Sequence, residues 1–187
     1  MLGRRGFISR TLILLALASG LARRVRAQGA YLLRYWPLPT PVQAPLDDML
    51  VRWRSRLFIA DAVMLPSAAT PDQPIRLNGM LVRTAPAGEN TPDQFQAVCL
   101  RCPHEGCAVD LVKDPSTLPD EIVQQVGHPL TDPVFVCPCH NSAFIVETGE
   151  RIAGPAPRGL YRFRVTKVSD TAVEFGEVEE DLLLFDV

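Results

Sequence analysis

Two short segments of this 187-residue chain hold four of its five cysteines and two of its three histidines. The segments span residues 102–107 and 137–142, with the spacings C-x-H and C-x2-H and one extra cysteine in each. Their cysteines and histidines are Cys102, His104, Cys107, Cys137, Cys139 and His140. Thiolates and imidazoles together suit iron–sulfur clusters or zinc. We therefore predict a metal centre held between the two segments, with two cysteines left over that can pair with each other.

The paired motif resembles the Rieske iron–sulfur proteins of cytochrome bc-type quinol-oxidising complexes, over about residues 99–165. In a Rieske centre two histidines replace two cysteines on one iron of a [2Fe–2S] cluster. The resemblance implies that Cys102 and Cys137 ligate one iron, that His104 and His140 ligate the other, and that a disulfide links Cys107 to Cys139. It also implies a cluster-binding hydrogen bond from Ser142. Residues 154–157, which we call the Pro loop, resemble the family's proline loop that shields the cluster.

The function implied by the resemblance is electron transfer within a quinol:cytochrome c oxidoreductase-type complex. The cluster takes one electron from quinol, His140 contacts the quinol hydroxyl beside His104, and the electron passes on to a c-type cytochrome. Because oxidised iron lowers the pKa of its bound imidazole, oxidation favours the form that accepts the proton. The chain has no C-x-x-C-H haem motif, so it is expected to act only with cytochrome b-type and c-type partner subunits.

Two other functions remain open. A zinc-bearing structural module could use Cys99 and Cys102 with Cys137 and His140, but this set leaves three of the other motif residues without a role. The chain also resembles the small Rieske subunit of arsenite oxidase, which often has phenylalanine where high-potential Rieske proteins have a tyrosine, here Phe144. Phenylalanine cannot donate a hydrogen bond to the cluster, so we predict a lowered potential. A Rieske oxygenase is excluded because its catalytic iron needs further histidines and only His128 is left.

Residues 1–27 are predicted to be a twin-arginine export signal or an N-terminal membrane anchor. Arg4 and Arg5 precede an uncharged run from Thr11 to Ala22. These 12 residues make roughly 18 Å of helix, short of a hydrocarbon core of roughly 30 Å. The sequence does not decide between cleavage and retention. Either way the head is expected on the periplasmic side of the inner membrane, where a disulfide persists.

The remainder of the chain is acidic and divides into two further regions. Removing the six arginines of the leader leaves 19 − 6 = 13 basic and 21 acidic residues, a formal charge of −8. Nucleic acid is not expected as a partner, because binding it requires a basic surface. Residues 28–50 contain Pro37, Pro39, Pro41 and Pro45 and are predicted to form a proline-rich linker. Residues 51–187 are predicted to form the Rieske domain.

Short apolar runs separated by turn residues predict an all-β fold, an antiparallel β-sandwich carrying the two cluster-binding loops. Asn78-Gly79 between two apolar runs predicts a hairpin. Strands are predicted to enter both cluster loops, at Phe95–Cys99 and Val134–Val136, and a short helix is predicted at Pro119–Val126. The 29 residues between Cys107 and Cys137 form a long polar insertion whose role the sequence does not assign.

Overall fold

The strands of this chain follow from alternating apolar residues, which face a core on one side of a pleated sheet. A computed structural model describes residues 34–64, 72–88 and 90–179. The strands in these residues are Tyr35–Pro45 (β1), Ser55–Val63 (β2), Ile75–Arg83 (β3), Phe95–Cys99 (β4), Asp110–Val112 (β5), Val134–Cys137 (β6), Ser142–Ile145 (β7), Arg151–Ala153 (β8), Arg162–Val168 (β9) and Ala172–Glu179 (β10). One α-helix, Asp120–Val126 (α1), and 3-10 turns at Pro92–Gln94 and Pro115–Thr117 complete the described elements.

Two antiparallel sheets contain all of these strands. The larger sheet has six strands in the order β1-β10-β9-β4-β3-β2, and its two outer strands, β1 and β2, also contact each other. The smaller sheet has four strands in the order β5-β6-β7-β8 and carries the predicted cluster loops at its strand ends. The predicted all-β antiparallel sandwich is confirmed, and so is the short helix in the insertion.

Three apolar cores lie in layers around these sheets. The first fills the six-stranded sheet and contains Phe58, Phe163 and Phe175. The second lies between the sheets, where Val82 and Val98 pack with side chains from the four-stranded sheet. The third covers the opposite face of the four-stranded sheet, beneath α1. The small sheet is therefore buried on both faces, which fixes the ends of its strands.

The N-terminal boundary of the head differs from the prediction. Tyr35–Pro45 is not a free linker, because it pairs antiparallel with β10 from Tyr35↔Glu179 to Pro45↔Ala172. The pairing register shifts between Pro37 and Val42, across the proline-rich part of the strand. Proline is tolerated in an edge strand, where a missing N–H does not interrupt a ladder on the outer side. The compact unit accordingly begins at Arg34, earlier than residue 51. Residues 1–27, predicted as a signal or anchor, lie outside the described residues.

The predicted hairpin at Asn78-Gly79 is wrong. Both residues lie in the middle of β3, which pairs continuously with β4 from Gly79↔Cys99 to Arg83↔Phe95. Glycine is needed there for packing, since a Cβ on Gly79 would lie 2.2 Å from Cζ of Phe58. The Phe58 ring occupies the space above the glycine and packs against Phe175 in a tilted arrangement, with ring centroids 4.5 Å apart.

Gly79→Ala is expected to destabilise the head by about 1–3 kcal/mol, because the added methyl group overpacks a buried aromatic cluster. Urea unfolding followed by circular dichroism measures this change. Gly88→Ala is the matched control, since a Cβ at Gly88 would meet no atom within 4 Å. Equal unfolding midpoints for the two variants would contradict the packing explanation.

Candidate metal centre

The two predicted cluster loops lie side by side at one end of the four-stranded sheet. The first follows β4 and returns to β5, and the second is the tight connection between β6 and β7. Two backbone hydrogen bonds, both 2.9 Å long, close the first loop. The Cys102 N–H donates to the Cys107 carbonyl, and the Gly106 N–H donates to the Cys102 carbonyl. Asn141 closes the second loop with a positive φ of 55°, a conformation that asparagine tolerates. Both loops are therefore held by backbone geometry.

A disulfide joins the loops, as the resemblance implied. Cys107 and Cys139 are bonded, with their Cα atoms 6.6 Å apart and 32 positions apart in sequence. The bond ties the end of the first loop to the middle of the second. Among the described residues the free cysteines are Cys99, Cys102 and Cys137, all buried.

The four predicted cluster ligands lie on the two loops that this disulfide joins, and the Cys137 sulfur lies within 4.8 Å of both disulfide sulfurs. The rings of His104 and His140 lie edge to face with centroids 4.8 Å apart. Cys102 and Cys137 are 1% exposed and belong to the core between the sheets. Nδ1 of His104 is buried and has no hydrogen-bond partner in the described part of the chain. An unpartnered buried nitrogen is costly unless a metal occupies it, so this donor set fits a metal centre.

The surroundings of the Cys102 thiol disfavour its charged form. Burial raises the pKa of the Cys102 thiol to about 11, and the Cys137 thiol beside it contributes to the rise. The backbone N–H of His104 and the Ser142 hydroxyl partly oppose the shift, since both donate to the Cys102 sulfur. Metal ligation requires the thiolate. Positively charged iron would thus stabilise a form that the buried site otherwise disfavours.

Cys99 lies apart from this group, and its position argues against the zinc alternative. Its side chain is fully buried in the core of the six-stranded sheet, whereas Cys102 and Cys137 belong to the core between the sheets. Burial raises the pKa of the Cys99 thiol to about 11. Cys99 therefore belongs to a different core from Cys102 and Cys137, which disfavours a Cys3His site that includes all three.

Ser142 links the second cluster loop to the Pro loop. Its Oγ accepts the Ala156 N–H at 3.1 Å, and both residues are buried. Gly154, with φ of +80°, lies against the same loop, since a Cβ there would be 2.4 Å from the Ser142 Cα. The loop's exit is anchored by Arg158, which pairs with the buried carboxylate of Glu179. The Pro loop is thereby fixed against the cluster loop.

Glu105 is a member of the site that the sequence reasoning did not single out. Its carboxylate oxygens lie 3.8 Å from Nε2 of His104 and 3.8 Å from Nδ1 of His140. The side chain is 58% exposed, so it places a negative charge at the outer end of the loops. The sequence signal for this role was the position of an acidic residue between His104 and Cys107 of the first motif.

Comparison with known protein families places residues 76–167 in the Rieske [2Fe-2S] domain family. These residues, which include both cluster loops and the Pro loop, therefore form a Rieske [2Fe–2S] domain. No curated protein matches the chain. The domain identity defines the group held by the site as a [2Fe–2S] cluster and its function as electron transfer. Cys102, Cys137, His104 and His140 are the residues that would hold it.

Proposed function

We propose that this chain is the electron-transfer subunit that oxidises quinol and passes the electron to a c-type cytochrome. The observation that carries the proposal is the uneven exposure of the cluster donors. The His140 side chain is 45% exposed and that of His104 is 28% exposed, whereas Cys102 and Cys137 are 1% exposed. A donor from outside can therefore reach an imidazole without reaching the sulfur atoms.

His140 is the residue that meets the substrate in this proposal. The bound cluster supplies a one-electron acceptor. The exposed edge of His140 accepts a hydrogen bond from the quinol hydroxyl and holds the substrate at that edge. Pro138 and Cys139 are exposed beside it and give the substrate ring an apolar surface to lie on. The buried core behind Cys137 excludes water from the other side of the site.

The proposed partners follow from the same exposed end of the domain. A cytochrome b-type subunit would supply the rest of the quinol pocket, and a c-type subunit would receive the electron. The formal charge of −8 on residues 28–187 favours a basic cytochrome surface.

Among the described residues no helix is long and apolar enough to cross a membrane. We propose that residues 1–27 direct export by the twin-arginine route and associate the subunit with the periplasmic side of the inner membrane.

The test is purification of the complex through a C-terminal affinity tag from detergent-solubilised membranes of the native host. We expect haem b and haem c to copurify and the preparation to reduce cytochrome c with a soluble quinol analogue. A preparation that contains neither haem b nor quinol-dependent activity would contradict the proposal.

A second candidate is the small subunit of an arsenite-oxidase-like molybdoenzyme, and Phe144 is the observation that favours it. Phe144 is fully buried in the core that also contains Cys102 and Cys137. Phenylalanine has no phenolic hydroxyl, and a phenylalanine at this position is the feature in which the chain resembles the arsenite oxidase subunit. The purification above separates the candidates, since molybdenum in the complex and arsenite-dependent reduction of the cluster would favour the second.

Phe144→Tyr is expected to raise the midpoint potential of the cluster. A new hydrogen bond that favours the reduced cluster by about 1.4 kcal/mol raises a one-electron potential by about 60 mV. Potentiometric titration followed by EPR measures the change. Phe135→Tyr is the control, because Phe135 is equally buried and pairs with Phe144 from the neighbouring strand. An unchanged or lower potential in Phe144→Tyr would contradict the expectation.

A further inference from the structure

The long insertion between the cluster loops packs back onto the cluster-binding sheet. Ile122 of α1 is fully buried and packs in the third core with Ala143 of β7 and Ala153 of β8. Alanines at these two positions leave room for the helix to lie close to the strands. Val123 and Val126 are partly buried against the same core. Helix α1 is therefore fixed to the sheet that presents the second cluster loop.

From this helix, Gln125 reaches the Pro loop. Its Oε1 accepts the Gly154 N–H at 2.8 Å, and the Gly154 carbonyl accepts from Nη1 of Arg151 at 2.7 Å. Both backbone polar groups of Gly154 are thus bonded to side chains. Gly154 also lies against the second cluster loop, since a Cβ built on it would be 2.4 Å from the Ser142 Cα.

The next hydrogen bond leads to the cluster pocket. Two residues after Gly154, the Ala156 N–H donates to Ser142 Oγ at 3.1 Å. Because the Ala156 N–H occupies a lone pair of this oxygen, the hydroxyl proton is left for a different acceptor. Ser142 lies directly opposite Cys137, a proposed cluster ligand, in the β6–β7 pair. The orientation of the Ser142 hydroxyl therefore depends on the position of the Pro loop.

We propose that Gln125 is a positioning residue for the cluster, and that the insertion helix holds the Pro loop over Ser142 through it. The chain of contacts runs from Gln125 to Gly154, from Ala156 to Ser142, and from Ser142 to its strand partner Cys137. This role belongs to the cluster pocket and is independent of which donor reduces the cluster. It gives the insertion a function within the domain.

The experiment compares three full-length, cluster-loaded variants with the unaltered protein. Gln125→Ala removes the acceptor, and Gln125→Glu keeps a side-chain oxygen that can accept the Gly154 N–H. Gln124→Ala is the matched control, because Gln124 is an exposed residue of the same type on the same helix. The measurements are hydrogen exchange of peptides covering residues 151–160, the EPR spectrum and midpoint potential of the reduced cluster, and the rate of iron loss to a chelator.

For Gln125→Ala we expect exchange in residues 151–160 and iron loss each to accelerate about five-fold, the factor that matches one lost hydrogen bond of about 1 kcal/mol. We also expect a shift of the EPR spectrum and of the potential, because the Ser142 hydroxyl is no longer fixed. Gln125→Glu is expected to restore slow exchange and slow iron loss, and Gln124→Ala to match the unaltered protein.

Two results would overturn the proposal. The first is a Gln125→Ala protein that matches Gln124→Ala in exchange, spectrum and iron loss. The second is faster exchange in Gln125→Ala with an unchanged spectrum, potential and iron loss, since the Pro loop would then be held without effect at the cluster. Far-UV circular dichroism confirms that each variant is folded. Failure of quinol oxidation in the purified complex would leave these measurements unaffected.

Discussion

His104→Ala is expected to abolish the two-histidine cluster, so that the EPR signal of the reduced protein falls to background. The substitution removes the donor whose Nδ1 is buried and without a partner in the described residues. The vacated position leaves one imidazole and two thiols, too few to complete the coordination of both irons. Iron content and EPR of the reduced protein, prepared with identical cluster reconstitution, measure the outcome.

His128→Ala is the control for this experiment. His128 is the third histidine of the chain, lies exposed in the insertion, and bonds through Nδ1 to the Pro129 carbonyl at 3.0 Å. Its replacement is expected to leave the iron content and the EPR signal unchanged. A normal Rieske-type signal in His104→Ala, or its loss in His128→Ala, would contradict the ligand assignment.

Removing the disulfide is expected to destabilise the folded cluster loops by about 2–4 kcal/mol. The paired replacement Cys107→Ser with Cys139→Ser removes a cross-link between positions 32 residues apart, and the stabilisation by a cross-link of this span lies in that range. The effect should appear as a lower urea midpoint for loss of the cluster's visible absorbance. The paired replacement avoids leaving one reactive thiol behind.

Cys99→Ala serves as the comparison for the disulfide variant. Cys99 is an unpaired, buried cysteine in the core of the six-stranded sheet, so its replacement leaves the cross-link intact. Its loss is expected to lower the urea midpoint less than loss of the disulfide. Equal effects of the two variants would show that the cross-link adds little to the stability of the loops.

The cluster site was largely predictable because its chemistry requires particular residue types at short spacings. Cysteine and histidine are the donors that a soft metal centre needs, and local loops bring them together without long-range information. The disulfide was implied by resemblance alone, and the structure confirms it. Ser142 was likewise assigned from its position in the motif, and the structure adds its bond to Ala156.

The N-terminal strand and β3 were mispredicted because tertiary packing decided both. The prolines of β1 favour an extended linker locally, yet the backbone of this strand completes the edge of β10. Asn78-Gly79 favours a turn locally, but the Phe58 ring requires a residue without a side chain at position 79. Neither the open edge of β10 nor the position of that ring can be read from neighbouring residues.

The role of the insertion could not be predicted for a related reason. Gln125 and Gly154 are 29 positions apart, and nothing in the spacing of polar residues indicates that they meet. Helix α1 itself was predictable, because its apolar residues recur at helical spacing. The contact depends on how this helix packs against Ala143 and Ala153, which only the folded sheet determines.

EPR spectroscopy of the dithionite-reduced full-length protein, together with its iron and zinc content, tests most directly whether the two loops hold a [2Fe–2S] cluster. We expect about two irons per chain, negligible zinc, and the spectrum of a [2Fe–2S] cluster with nitrogen coupling from two histidines. Absence of that signal after iron reconstitution, or a stoichiometric zinc content in its place, would contradict this expectation.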